Sequence, residues 1–177
     1  MASTPKKVFH EIQAPFTATK IQLYAGALEE LNGKVVRLDL TRNLRGKGLE
    51  LKMKVKLEEG KLVAEPVALE LAGSYIRRMI RKGTDYVEDS FTASCKDASV
   101  VVKPFLITRN KVSRALRNTL RVQAKAHLES YLKARSAKEV FTDITTNKAQ
   151  KDLSLKLKKI YPLALCEIRV FKLVEKK

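Results

Sequence analysis

From Val112 onward the residues Leu116, Leu120, Ala124, Leu128 and Leu132 recur at every fourth position, a spacing that lines one face of an α-helix with apolar side chains. Such a stripe needs a partner surface, so the second half of the chain must fold as a long helix lying on a core. Away from the stripe, Arg114, Arg117, Arg121 and Lys125 recur at steps of three and four, which makes the same helix a basic one. A shorter helix is expected over Lys148 to Lys159. Beyond Ile160-Tyr161-Pro162-Leu163, Cys166 to Val174 reads as an alternating final strand.

The first half carries the other periodicity. Leu49, Leu51, Met53, Val55 and Leu57 alternate with Glu50, Lys52, Lys54 and Lys56, which describes a strand with one wet face. Val8 to Gln13, Lys34 to Leu40 and Leu62 to Leu69 are expected as further strands, and Ala14-Pro15 closes the first by biasing the chain away from helix. The segment Arg42-Asn43-Leu44-Arg45-Gly46-Lys47-Gly48 reads as a turn whose two glycines permit positive φ, and Glu58-Glu59-Gly60 as another. A first helix should begin near Leu71 and stop at Gly83, with Arg77, Arg78, Arg81 and Lys82 in its last two turns, where cations favour the helix dipole. Tyr86 to Cys95 and Val100 to Ile107 then form a hairpin around Lys96-Asp97-Ala98-Ser99. Strands followed by helices argue for the α+β class. No Pro/Gly/Ser-rich linker of useful length interrupts the chain, so a single domain over residues 1–177 is expected.

Charge indicates the company this fold keeps. The 177 residues hold 36 Lys plus Arg against 19 Asp plus Glu, a net charge of +17, on a body that is 45% hydrophobic. Self-repulsion of that size destabilises a compact state and points to a polyanionic partner. Basic residues exceed acidic ones in every third of the chain, by 11 to 7 over 1–60, 11 to 6 over 61–120 and 14 to 6 over 121–177. A membrane is not expected as that partner: the longest uncharged runs, Ile12 to Thr19 and Ile21 to Leu28, are eight residues long, against the ~20 apolar residues of a spanning helix. The start, Met-Ala-Ser-Thr-Pro-Lys-Lys, has no apolar stretch behind its charge and does not read as a secretory signal.

Catalytic chemistry leaves little trace. Cys95 and Cys166 stand 71 positions apart and read as free thiols, and with only His10 and His127 there is no zinc-ligand spacing, so neither metal nor cofactor is expected. The Arg45-Gly46-Lys47-Gly48 loop lacks the phosphate-loop form. Glu29-Glu30, Glu58-Glu59 and Glu88-Asp89 read as solvated surface rather than acid/base pairs. The basic clusters remain. Arg109 to Arg135 holds eight Lys or Arg and one acid, Glu129, and so forgoes the mixed Glu–Lys pairs of an ordinary solvated helix. The candidate phosphate-binding residues are Arg109, Lys111, Arg114, Arg117, Arg121 and Lys125, then Arg77, Arg78, Arg81 and Lys82, and in the glycine turn Arg42, Arg45 and Lys47. Phe and Tyr are scattered and Trp is absent, so binding is expected to rest on backbone charge and shape rather than base stacking. The rival expectation is an RNA-modifying or RNA-cleaving enzyme on the same surface, which would need a pocketed His or Asp near the phosphates.

Several segments together resemble a known family. Leu69-Glu70-Leu71-Ala72-Gly73-Ser74-Tyr75-Ile76-Arg77-Arg78-Met79-Ile80-Arg81-Lys82 resembles a segment of the archaeal and eukaryotic small-subunit ribosomal protein called S-three-a or S-one-e, in which a strand leads into a helix with a basic end. In the same order, Phe9-His10-Glu11-Ile12-Gln13-Ala14-Pro15, Ile107-Thr108-Arg109, and Ile160-Tyr161-Pro162-Leu163 followed by Ile168-Arg169-Val170 are similar to that family's landmarks. The resemblance implies an antiparallel, barrel-like β-sheet flanked by helices. It implies a non-enzymatic constituent of the small ribosomal subunit, on the platform near the messenger exit, in the cytoplasm. Small-subunit ribosomal RNA, neighbouring ribosomal proteins and messenger RNA near the exit are the implied partners. The family's long basic N-terminal extension is reduced here to residues 1–7, with Lys6 and Lys7 added to the RNA-binding set, and Ala98-Ser99 replaces its Gly-Tyr.

Overall fold

A computed structural model describes residues 7–17, 19–44, 46–58 and 60–174. Among these the chain is α+β, with antiparallel strands first and helices concentrated late. It builds two compact units, residues 1–38 with 51–67, and residues 39–50 with 68–177.

The first unit contains β1 (Val8–Ile12) and β2 (Ile21–Ala25), an antiparallel ribbon in which Phe9 faces Tyr24 and Ile12 faces Ile21. Alternation sends Ile12, Ile21 and Ala25 inward. β3 (Val35–Asp39) follows a short 3-10 turn at Glu29–Leu31, and Gly33, at φ +79°, turns the chain into it. β4 (Leu49–Glu58) and β5 (Lys61–Leu71) form the expected long strands, reversing at Gly60 with φ +77°. The boundary between the units falls within these two strands. Leu51, Met53 and Val55 are fully buried, as the alternation requires.

The second unit holds α1 (Gly73–Met79), β6 (Tyr86–Glu88), β7 (Phe91–Ser94), β8 (Ser99–Thr108), α2 (Arg114–Lys133), α3 (Ala137–Thr145), α4 (Lys148–Leu157) and β9 (Leu163–Leu173). β8 is its organising strand. One edge pairs with β9 along nearly its whole length, and the other is divided between β6 and β7. β9 in turn pairs with Ala68–Glu70 at the end of β5. Among the described residues the sheet stays open rather than closing into a barrel. Val100, Val102, Phe105, Leu106 and Ile107 of β8, Phe171 of β9 and the α2 stripe of Leu120, Ala124, Leu128 and Leu132 are all buried, and α2 lies against β6, β7 and α4. Phe141 of α3 meets Phe171 edge to face, with centroids 4.9 Å apart.

Three local expectations differ from what forms. The first helix stops at Met79 because Ile80 is already extended, and Gly83, at φ +90°, serves the following turn. The Tyr86 to Cys95 strand is broken at Asp89-Ser90 into β6 and β7, Ser90 N–H donating to Asp89 Oδ1 at 2.9 Å. Of the two turn glycines only Gly46 takes positive φ, at +87°. Gly48 is needed for space instead: a Cβ there would lie 3.1 Å from Ala72 Cβ and 3.3 Å from Tyr75 Cβ.

Candidate nucleic-acid interface

The basic face of α2 is set by the same periodicity that buries its stripe. Ser113 caps the helix, its hydroxyl accepting from Leu116 N–H. With Leu120 and Ala124 turned inward, Arg114, Arg121 and Lys125 are left exposed and Arg117 half-buried. Over the eleven steps from Arg114 to Lys125 the ridge extends roughly 16 Å.

This ridge forms one wall of a groove in the second unit. Arg114, Arg117, Asn118 and Arg121 stand on one side and Tyr86 and Glu88 of β6 on the other, enclosing about 680 Å³. Arg121 Nη2 donates to Asn118 Oδ1 at 2.9 Å. Beyond Arg121 a smaller hollow of about 460 Å³ continues past Lys125 and Asp89, and Lys125 Nζ sits 5.7 Å from the centroid of the Phe91 ring. The β6 end of the groove adjoins a third hollow bordered by Lys103 and Arg169, whose guanidinium pairs with Glu88 at 2.8 Å.

Two further basic segments meet at Asp85. Its carbonyl accepts from Thr108 N–H and Oγ1–H, and its carboxylate Oδ2 accepts from Val112 N–H at 2.9 Å. These bonds hold the loop bearing Arg109 and Lys111 against the turn bearing Arg81 and Lys82. All four cations are exposed, as are Arg77 and Arg78 in the last turn of α1. Residues far apart in sequence thus share one end of β6 and β8.

The remaining candidates are placed differently. Lys7 is exposed at the start of β1, in the first unit, and Arg42 is exposed in its turn, while Lys6 and Arg45 lie outside the described residues. Lys47 is a correction to the surface reading. Its ammonium is buried and donates to Glu167 Oε2 at 2.6 Å and to Asn147 Oδ1 at 2.7 Å, so it is spent inside the fold. Arg135 is likewise committed, paired with Asp143 at 2.8 Å and lying 3.7 Å over the Tyr131 ring.

Sequence reasoning passed over a second cationic surface. Lys148, Lys151 and Lys156 of α4, with Lys158 and Lys159 after it, are all exposed. The signal was present in the 14 basic residues of the last third. The second unit, 39–50 with 68–177, holds 27 Lys or Arg against 13 Asp or Glu, so it carries +14 of the +17.

The titratable groups bear on chemistry. Burial pushes the Cys166 thiol up to about 12 and the Cys95 thiol up to about 11, so both are protonated at neutral pH. Burial, aided by Lys156, holds the His127 imidazole below its ordinary value. Among the described residues no three His, Cys, Asp or Glu side chains gather to hold a metal, and no helix is long and apolar enough to cross a membrane.

The small ribosomal subunit protein eS1 of Nanoarchaeum equitans is 27% identical over 96% of this chain and 90% of its own length. Its namesake from Methanothermobacter thermautotrophicus is 29% identical over 56% of this chain and 51% of its own length. That from Pyrobaculum aerophilum is 27% identical over 77% and 63%. The family model of the ribosomal S3Ae proteins matches residues 3–177, and the chain belongs to that family.

Proposed function

We propose that the protein is a structural, non-catalytic constituent of the small ribosomal subunit in the cytoplasmic ribosome, and that it holds ribosomal RNA by its phosphates. The names of its relatives and its own family support the subunit. The enzymatic alternative gives way because this family is one of ribosomal structural proteins. The observation that carries RNA binding is the ridge of Arg114, Arg117, Arg121 and Lys125, which borders an open groove whose arginine end has Glu88 as its carboxylate, with Asp89 and Glu129 farther along by Lys125. Guanidinium groups offer paired donors to phosphate oxygens, and Arg77, Arg78, Arg81, Lys82, Arg109 and Lys111 extend the same chemistry. Lys7 and Arg42 are added as exposed cations. The platform site near the messenger exit, and contacts with neighbouring proteins and messenger RNA, follow from the family resemblance. The family match runs through both compact units without a break, which supports reading residues 1–177 as one ribosomal-protein domain.

The test is binding to single-stranded RNA across a salt series. Neutralising about eight phosphates predicts a slope of log K against log salt on the order of −6. Changing Arg114, Arg117 and Arg121 together to Glu should flatten the slope and stop co-sedimentation with ribosomal particles while the circular dichroism spectrum is kept. A flat salt response of the unaltered protein would overturn the phosphate reading.

A further inference from the structure

We infer that the groove between α2 and β6 is a pocket for one unpaired ribonucleotide, its base stacked on Tyr86 and its phosphates held by Arg114, Arg117 and Arg121. This rests on the phosphate reading of α2 and adds a base to it. Tyr86 is 52% exposed, yet its ring is not loose. The Phe105 ring lies beside it, centroids 6.0 Å apart and tilted 34°, and the backbone of β6 is fixed by pairing Tyr86 with Ile107 on β8. An anchored aromatic ring with a free face is what a base uses for stacking, whatever the base's identity.

The arginine wall is short of acceptors. Arg117 Nε is buried without a hydrogen-bond partner, a donor that is costly to leave unmet. Glu88 is the one carboxylate among the described residues lining the groove, and Arg169 already takes its Oε1. A phosphate would meet both needs. Asn118 gives its Oδ1 to Arg121, which leaves its amide N–H groups for a base edge. The volume, about 680 Å³, lies within the roughly 300–1,000 Å³ of small-molecule pockets, suiting one nucleotide rather than a duplex. An acidic peptide would satisfy the arginines with carboxylates that cannot stack, whereas each nucleotide brings a base to the Tyr86 ring together with its phosphate, so RNA is favoured.

The experiment uses the full chain and a short single-stranded RNA, with Tyr86→Leu and Tyr86→Phe variants and a matched RNA carrying abasic positions. Tyr86→Leu is expected to weaken binding roughly tenfold with the salt slope unchanged. Tyr86→Phe should bind as the parent does, and the abasic RNA should not distinguish the three proteins. RNA carrying 4-thiouridine should cross-link to Tyr86 in the unaltered protein, a readout that stands even where Tyr86→Leu folds poorly. Full affinity of a folded Tyr86→Leu variant with the steep slope retained would overturn the pocket alone, and a flat slope in the parent would overturn the phosphate reading beneath it. A variant that keeps RNA affinity but fails to join ribosomal particles would assign the groove to a protein neighbour and likewise overturn the pocket.

Discussion

Burying an ammonium with a carboxylate costs several kcal/mol per ion in lost hydration, which their attraction offsets only when the other donors and acceptors are met. Lys47 and Glu167 approach that condition: Asn147 takes a second ammonium proton, and Gln150 Nε2 reaches Glu167 at 3.4 Å while bonding Ile144 C=O at 3.0 Å. Asn147 stands at φ +59°, in the left-handed region Asn tolerates. Lys47→Ala is therefore expected to cost about 3–5 kcal/mol of stability in urea unfolding. Lys47→Met with Glu167→Leu should cost less, and RNA affinity of the folded variants should be unchanged. The buried thiols give a pH signature. Their folded values lie above the ordinary 9.0, so the stability they contribute is whole below about pH 9 and is lost as pH rises toward 11–12. A urea series from pH 8 to 11 should show that decline, and replacing both cysteines with Ala should reduce it. Little of this was legible in sequence. A Lys between two glycines reads as a solvated turn, and its partner lies 120 positions away.

Elements differed in how openly they declared themselves. α2 was plain because five stripe residues repeat over nearly five turns, and β4 because its alternation is unbroken. β2 went unread, although Ile21, Leu23 and Ala25 do alternate, because five residues carry too little pattern alone. α3 was missed despite a capping box: Ser136 Oγ accepts from Glu139 N–H, and Glu139 Oε2 accepts from Ser136 N–H at 3.0 Å. That bond holds the Glu139 carboxyl below its ordinary value. In a helix of nine residues such a cap matters, and Ser136→Ala should lower stability by about 1 kcal/mol, measurable by thermal unfolding. Half of the groove was legible as well. Its arginine wall came from helical spacing, but Tyr86 and Glu88 oppose it only through strand pairing with β8, which no local pattern encodes.

For the molecule as a whole, charge and stability are linked. An excess of +14 on the second unit raises the free energy of its compact state, and any polyanion that binds the folded form offsets it by mass action. Single-stranded RNA at about 100 times its Kd is expected to add about 2.7 kcal/mol, raising Tm by roughly 5–10 °C for a chain of this size. Unchanged melting at saturating RNA would contradict the link. The position of β9 adds a consequence in time. Its neighbours end at Leu71 and Thr108, so both finish synthesis long before Leu163–Leu173 leaves the exit tunnel. Until then β8 and the end of β5 each present a bare edge. The second unit therefore completes its sheet only once residue 173 has emerged, and a nascent chain this basic would spend that interval exposed to whatever RNA lies nearest.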